Sequence, residues 1–451
     1  MDASLHDFRT SGYNISVIDC WSDVKTEKLQ EGAVWHPFVV QESVCADRRG
    51  RYARGVIMKR IIYLDNAATT KIHPQVLEEM MPYLQENYGN PAAIYSLAGQ
   101  SAKGVAKARD QVAKLINARR EDIYFTGGGS ESDNWAIKAV AESFAHKGKH
   151  IITTKIEHHA VLHSCEYLEK RGFQMTYVDV DGEGFVNPES IRAAIRPDTI
   201  LISVMAANNE IGTIQPIAEI SKVAHEKGIL FHVDGVQAVG HIPMDVEEMD
   251  IDLLSISGHK LHGPKGIGAL YIRKNVKLSS FLHGGAQERH RRAGTHNVPA
   301  IVGFGKAAEM AGENMNEKMT QVSELRDYLI DRVMKEIPHV RLNGSRESRL
   351  PGNASFCFSF IEGESLLILL DQKGICGSGG SACTTGAVDP SHVLMAIGVP
   401  PEVAKGVVRL TLSEYTTKEE IDLAVDALKE NLERLRSMSV EYEQYLKRMK
   451  K

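Results

Sequence analysis

The chain has 451 residues, 43% hydrophobic and 25% charged, with a formal net charge of −5, a balance ordinary for a folded protein with a large core and room for two domains. The charge and the lack of a long basic block argue against nucleic-acid binding, and no run of about 18 apolar residues suggests a membrane span. Cys20, Cys45, Cys165, Cys357, Cys376 and Cys383 include no C-x-x-C pair, which argues against a zinc site and fits a free thiol in a reducing cytoplasm.

Residues 1–57 differ from the rest, mixing polar and apolar residues and ending in Arg48-Arg49-Gly50-Arg51. Acids from Asp2 to Asp47 speak against a transit peptide. From about 73 to 315, strand-like runs (151–154, 175–178, 200–204, 230–233) alternate with helical ones such as 217–226. That rhythm predicts βαβ units and a mostly parallel sheet.

Three pieces of this stretch carry chemistry. Strand-like 122–126 runs into Gly127-Gly128-Gly129-Ser130, and a helical pattern starts at Glu131. A strand, a glycine loop and a helix start together make an anion site, because the first amides are uncovered and the helix dipole favours negative charge. The loop ends in neither a Walker lysine nor a G-x-G-x-x-G pattern, so it suits one phosphate monoester better than a dinucleotide. Further on, 229–234 reads as a buried strand ending on Asp234, at the strand end where open α/β sheets gather their ligands. Lys260 then sits between a short apolar run, 252–256, and a glycine-rich turn, with Ser257 and His259 beside it. A lysine held at a strand end can lose its proton and form a Schiff base. An acid and a lysine so placed suit pyridoxal 5'-phosphate (PLP): the carboxylate keeps the pyridine nitrogen protonated, and the ring becomes an electron sink.

From about 316 the pattern changes to a long helix (318–335), several strands including 354–360, and closing helices, the last opening on the capping box Thr417-Lys418-Glu419-Glu420. Residues 374–386 are so rich in glycine and small hydroxyl residues that they read as a mobile loop around Cys383, with Cys376 as a packed bystander. The basic finish (Lys447, Arg448, Lys450, Lys451) reads as a solvated helix end.

Several motifs stand in one order: Asp65-Asn66-Ala67-Ala68-Thr69-Thr70, Glu131-Ser132-Asp133-Asn134, Glu157-His158-His159-Ala160-Val161, Asn208-Asn209-Glu210-Ile211-Gly212, Asp234-Gly235-Val236-Gln237, Ser257-Gly258-His259-Lys260, Arg292-Ala293-Gly294-Thr295 and Gly379-Gly380-Ser381-Ala382-Cys383. From about Met58 onward the chain resembles the NifS/IscS type of cysteine desulfurase, in the class V aminotransferase branch of fold-type I PLP enzymes. The resemblance implies an α/β fold: a large PLP-binding domain with a mostly parallel seven-stranded sheet over 73–315. A smaller α+β domain, 58–72 with 316–451, would carry the Cys383 loop, which resembles the long-loop form. Members of the family begin just before Tyr63-Leu64-Asp65, so Met58 resembles a natural start and 1–57 an extension.

The resemblance also implies roles. Lys260 matches the Schiff-base lysine, Asp234 the partner of the pyridinium nitrogen, and Gln237 the partner of the ring hydroxyl. Asn209 matches a contact near that hydroxyl and the substrate. His158 matches an imidazole stacked on the cofactor and able to shuttle protons, with His159 structural or exposed. Gly129, Ser130, Ser257 and His259 match holders of the phosphate. Thr295 matches a residue reaching the neighbouring subunit's phosphate, hence a homodimer. Arg409 matches the clamp on the substrate α-carboxylate, a task that suits a planar fork, although Thr411-Leu412-Ser413 replaces the usual Ser-Leu-Gly after it. Cys383 matches the thiol that takes sulfur as a persulfide. No resident metal is implied; Cys383 could meet a partner's iron–sulfur cluster.

The implied activity is conversion of L-cysteine to L-alanine, with sulfur passed to an iron–sulfur scaffold or another acceptor protein for cluster assembly or tRNA thiolation. Selenocysteine lyase, another PLP-dependent C–S lyase and an aminotransferase are the alternatives, with a non-enzymatic scaffold last; Cys383 favours the first reading.

Overall fold

The computed structural model describes residues 38–46, 52–380 and 390–450. Its central feature is a sheet of seven strands: β1 (Ile123–Thr126), β2 (His150–Thr154), β3 (Gln174–Val178), β4 (Thr199–Met205), β5 (Leu230–Asp234), β6 (Leu253–Ser257) and β7 (Gly268–Ile272). They lie in the order β1-β7-β6-β5-β4-β2-β3. Neighbours run parallel except at β7, which is antiparallel to both β1 and β6. The expected mostly parallel α/β sheet is therefore present, with one reversed strand that the alternating rhythm did not announce.

Strands β4, β6 and β7 are buried along their whole length. A sheet covered on both faces needs no polar side, so its strands read as continuous apolar runs. Successive residues still point to opposite faces, and this divides two cores: Ile152, Ile202, Leu254 and Tyr271 pack with Phe231 and Phe304. Ile151, Leu201, Leu253 and Leu270 pack with Trp135 and Val161.

A third core belongs to the C-terminal part. Strands Val340–Leu342, Asn353–Phe358 and Val407–Thr411 form an antiparallel sheet, and helices Met315–Glu336 and Lys418–Ser437 bring Leu329, Val333, Ile421 and Leu428 onto it. Ile62 and Leu64 join this core, since Ile62–Tyr63 pairs in parallel with Ile375–Cys376. Cys376 is half-buried there. The capping box forms as expected: Glu420 N donates to Thr417 Oγ1 (3.2 Å) and Thr417 N to Glu420 Oε2 (3.1 Å).

Backbone 38–46 pairs antiparallel with 52–60, so Met58 falls inside the second strand of a hairpin. Among the described residues no helix is long and apolar enough to cross a membrane.

Candidate active site

The glycine loop and the helix after it build one wall. The chain leaves β1 at Thr126, turns through Gly127 and Gly128, and enters α1 (Gly129–Phe144), two residues earlier than the sequence pattern suggested. Gly128 has φ +148°, a conformation that side chains disfavour. It offers α1 no side-chain cap, so the first-turn amides have no acceptor within the helix. The Glu131 carboxylate accepts from Gly127 N (2.8 Å) and is held by Arg292 Nε (2.8 Å). A Cβ added at Gly129 would lie 2.5 Å from Val236 Cγ2, so the loop sits directly against the turn that follows β5.

The ends of β5 and β6 supply the floor. Parallel pairing puts Asp234 beside Ser255, and both strands present their carboxyl ends on the same side. Asp234 is buried, and its Oδ1 accepts from Val236 N (3.0 Å). Burial lifts its pKa above the ordinary carboxylate value, and the Val236 amide and Lys260 oppose that rise. Lys260 ends the short turn Gly258–Lys260; its Nζ donates to the carbonyls of Ala67 (2.6 Å) and Ala68 (2.7 Å). Gln237 Nε2 donates to the same Ala67 carbonyl (3.0 Å). The 65–70 strap that carries these carbonyls is pinned to β6's exit, since Thr70 N and Oγ1 both donate to His259 O (3.0 and 2.9 Å).

His158 caps helix α2 (His159–Glu169), its Nδ1 accepting from Ala160 N (3.1 Å). A neutral imidazole that accepts at Nδ1 carries its proton on Nε2. Burial first, then Lys260 and nearby imidazoles, push its pKa down to about 4, so His158 is neutral near neutral pH. His259, half-buried beside Lys260, is pushed down to about 4 by burial first and then by that amine.

Arg409 comes from the strand Val407–Thr411 and is 1% exposed. Its Nη1 donates to Asn209 O (2.8 Å) and its Nη2 to Asp65 Oδ1 (3.2 Å), using two of five N–H groups; Nε has no partner among the described residues.

These elements enclose a cavity of about 640 Å³ lined by Gly129, Ser130, His158, Asn209, Asp234, Gln237, Ser257, His259, Lys260 and Arg409. Thr295 does not line it and is exposed. Cys383, with the expectation of a mobile loop around it, lies outside the described residues. Their neighbours on both sides are anchored at the cavity. Ser378 exchanges backbone hydrogen bonds with Arg409 (3.0 and 2.7 Å). Beyond the segment, Ser391 Oγ donates to the Glu210 carboxylate, and His392 lines the cavity with Nε2 donating to Glu157 O (3.0 Å).

Several lining residues had been given no role: the Ala67 and Ala68 carbonyls and the buried acids Asp133, Glu157 and Glu210 stand inside motifs already noted, while His392 stands in none of them. For the three acids, membership of a motif beside residues with assigned roles was the only clue. His159, expected to be structural or exposed, borders the cavity too, its ring 4.9 Å from those of His163 and His392. A second cavity of about 290 Å³ lies across the Asn66–Ala67 strap, lined mostly by apolar groups such as Met310, Met315 and Leu412; of the expected site residues it touches Gln237 alone.

Known proteins point the same way. The aminotransferase class-V profile matches residues 62–424. A cysteine desulfurase IscS from Dictyoglomus turgidum (strain DSM 6724 / Z-1310) is 53% identical over 382 residues, 85% of this chain and 97% of that relative. Among solved structures, a NifS-like protein matches with a TM-score of 0.78 and 40% identity, over 83% of this chain and 99% of its own. SspA in complex with cysteine matches with a TM-score of 0.71 and 37% identity, over 79% of this chain and 99% of its own.

Proposed function

The chain belongs to the class-V aminotransferase family, and from that premise we propose that it is a PLP-dependent cysteine desulfurase, moving sulfur from L-cysteine to Cys383 and releasing L-alanine. One observation carries the reading: Lys260, Asp234, His158 and Arg409 meet in a single cavity, at whose edge both flanks of the Cys383 segment are anchored.

The lining fits PLP, the cofactor of the family. A glycine cradle that a Cβ would fill and the uncovered amides of α1 suit a phosphate, with Ser130, Ser257 and His259 around it. Asp234 would hold the ring nitrogen, Gln237 and Asn209 the ring hydroxyl, and Lys260 the carbonyl carbon. Bound there, the cofactor supplies an electron sink that acidifies the substrate's α-proton and weakens its Cβ–Sγ bond.

The rest of the chemistry falls to the chain. Arg409 binds the substrate carboxylate through its remaining N–H groups, while Asn209 O and Asp65 keep the guanidinium from turning. Lys260 Nζ moves the α-proton, and the Ala67 and Ala68 carbonyls keep the amine on the cavity side. His158 offers a donor at Nε2 for as long as Nδ1 caps α2. Cys383, as a thiolate, takes the sulfur to become a persulfide, which then passes to an iron–sulfur scaffold or other acceptor protein in a reducing cytoplasm.

A second copy of the chain completes the site, with Thr295 reaching its neighbour's phosphate. The exposed apolar residues Leu77, Met81, Leu84, Tyr88, Ile94 and Tyr95 support such pairing. The core that gathers Ile62 and Leu64 with residues 322–432 supports a small domain at 58–72 with 316–451 beside a large one at 73–315, the two sharing a further cluster in which Ile156, Met205 and Ile211 meet Cys357, Val393 and Leu394.

Cys383→Ser tests the function. The variant is expected to bind PLP and keep its visible absorbance, yet to form neither persulfide nor sulfide from L-cysteine. Sulfide release at the wild-type rate would overturn the reading. Turnover of L-selenocysteine or cysteine sulfinate in preference to L-cysteine would move the assignment to a lyase.

A further inference from the structure

Five carboxyl groups line the cavity, those of Glu131, Asp133, Glu157, Glu210 and Asp234, and three of them, Asp133, Glu157 and Asp234, act on one another electrostatically. Asp133 stands one turn into α1, Glu157 directly precedes the His158 cap, and Asp234 ends β5. Their exposures are 1%, 0% and 5%, and all three line the same cavity. Glu157 Oε1 accepts from Thr154 Oγ1 (2.7 Å) and Met205 N (3.1 Å), while Oε2 has no partner among the described residues. Asp133 is hydrogen-bonded by Ser255, while its Oδ1 has no hydrogen-bond partner.

His232 Nε2 stands 3.7 Å from that Oδ1. It is no counter-ion: burial pushes the imidazole down to about 3, and its two nitrogens are bonded to Ser203 Oγ (2.8 Å) and Ser255 Oγ (3.0 Å).

An ionised carboxylate with a bare, buried oxygen is strongly disfavoured, and three anions in one pocket repel one another. A phosphate in the same cavity would deepen the conflict. A proton on Glu157 Oε2 and another on Asp133 Oδ1 resolve it, each turning an orphaned acceptor into a donor at the cavity wall. Burial and then the Asp234 charge push Asp133 well up. Burial pushes Glu157 up to about 8 in spite of its bonds to Thr154 and Met205.

We propose that Asp133 and Glu157 are positioning residues that carry a proton at neutral pH and act through Asp234, leaving it the one anion to meet the cofactor's ring nitrogen. The proposal rests on the reading of this cavity as a PLP site. Besides each other, the titratable groups facing the two acids are Asp234 and His232 from β5 and Cys165 from α2, with Lys260 facing Asp234 from beyond β6. The Cys165 thiol is pushed up to about 12 by burial and is uncharged. His392 meets Glu157 only at its backbone carbonyl.

Infrared spectroscopy of the holoenzyme at neutral pH is the direct test. A protonated-carboxyl C=O band is expected, losing one component in Asp133→Asn and another in Glu157→Gln. Carbon-13 labelling of aspartate or glutamate carboxyls in the unmutated enzyme assigns the components even where a variant fails to fold; absence of either overturns the proposal.

The second readout is the pH titration of the cofactor's visible band. Asn and Gln replace groups already neutral, so the midpoint should move by less than about half a unit, whereas Asp234→Asn should move it by about one unit or more. A shift in Asp133→Asn or Glu157→Gln as large as that in Asp234→Asn overturns the proposal. If Asp234→Asn itself leaves the midpoint unmoved, the reading of the site fails instead, whatever the infrared bands show.

Discussion

Burial is what makes Asp234 useful and also what limits it. Taken out of water, its carboxyl is lifted to about 6, against the pull of the Val236 amide and Lys260. A folded-state pKa raised this way means the group picks up its proton early on acidification, and a neutral Asp234 cannot pair with a cationic ring nitrogen. Cofactor affinity is therefore expected to be full above about pH 6 and to fall as the pH drops through that value. Asp234→Asn should bind weakly, by about tenfold or more, without this break. Equilibrium dialysis of PLP against pH checks both curves. His158 does not confuse the result, because it stays neutral down to about 4. The acid and the lysine were legible as residue types at strand ends. The Ala67 and Ala68 carbonyls that hold Lys260 Nζ were not, since a backbone acceptor leaves no mark in the side-chain sequence.

At the scale of elements, the anion site is a matter of how closely two turns approach. Gly129 is demanded by Val236 across the loop, not by its own helix. Gly129→Ala would force a methyl to 2.5 Å from Val236 Cγ2, and a β-branched neighbour has few rotamers into which to retreat. The loop is expected to move away and PLP to bind about 10- to 100-fold more weakly. The thermal unfolding of the cofactor-free protein should barely change; titration of PLP into the variant measures the first, calorimetry the second. The strand-and-helix rhythm of 73–315 foretold the sheet because strands buried on both faces are mostly apolar, with a few polar residues such as Ser203, His232 and Ser255 bonded to one another. It did not foretell the reversal of β7, because hydrophobic pattern carries no strand direction.

Across the whole molecule, the proposed function needs more than one chain. Leu84 and Ile94 are exposed on the face we assign to a second copy, and replacing both by Glu is expected to yield monomers by sedimentation analysis. With Thr295 of the second copy missing, those monomers should also hold PLP less tightly. A variant that stays dimeric would remove that face from the interface, while a monomer with full PLP affinity would remove Thr295 from the site.

Residue types and their order were enough to identify the chemistry: a glycine loop, an acid and a lysine at the ends of β1, β5 and β6 declare themselves locally, because each depends on its immediate neighbours in the chain. Only the folded chain decided what surrounds them. The strap at 65–70 reaches Lys260, Arg409 reaches Asn209, and Asp133 and Glu157 come to share a wall with Asp234 through contacts between segments far apart in sequence. The protonation of those acids is set by the water that packing excludes, a property of the cavity as a whole that no single motif contains.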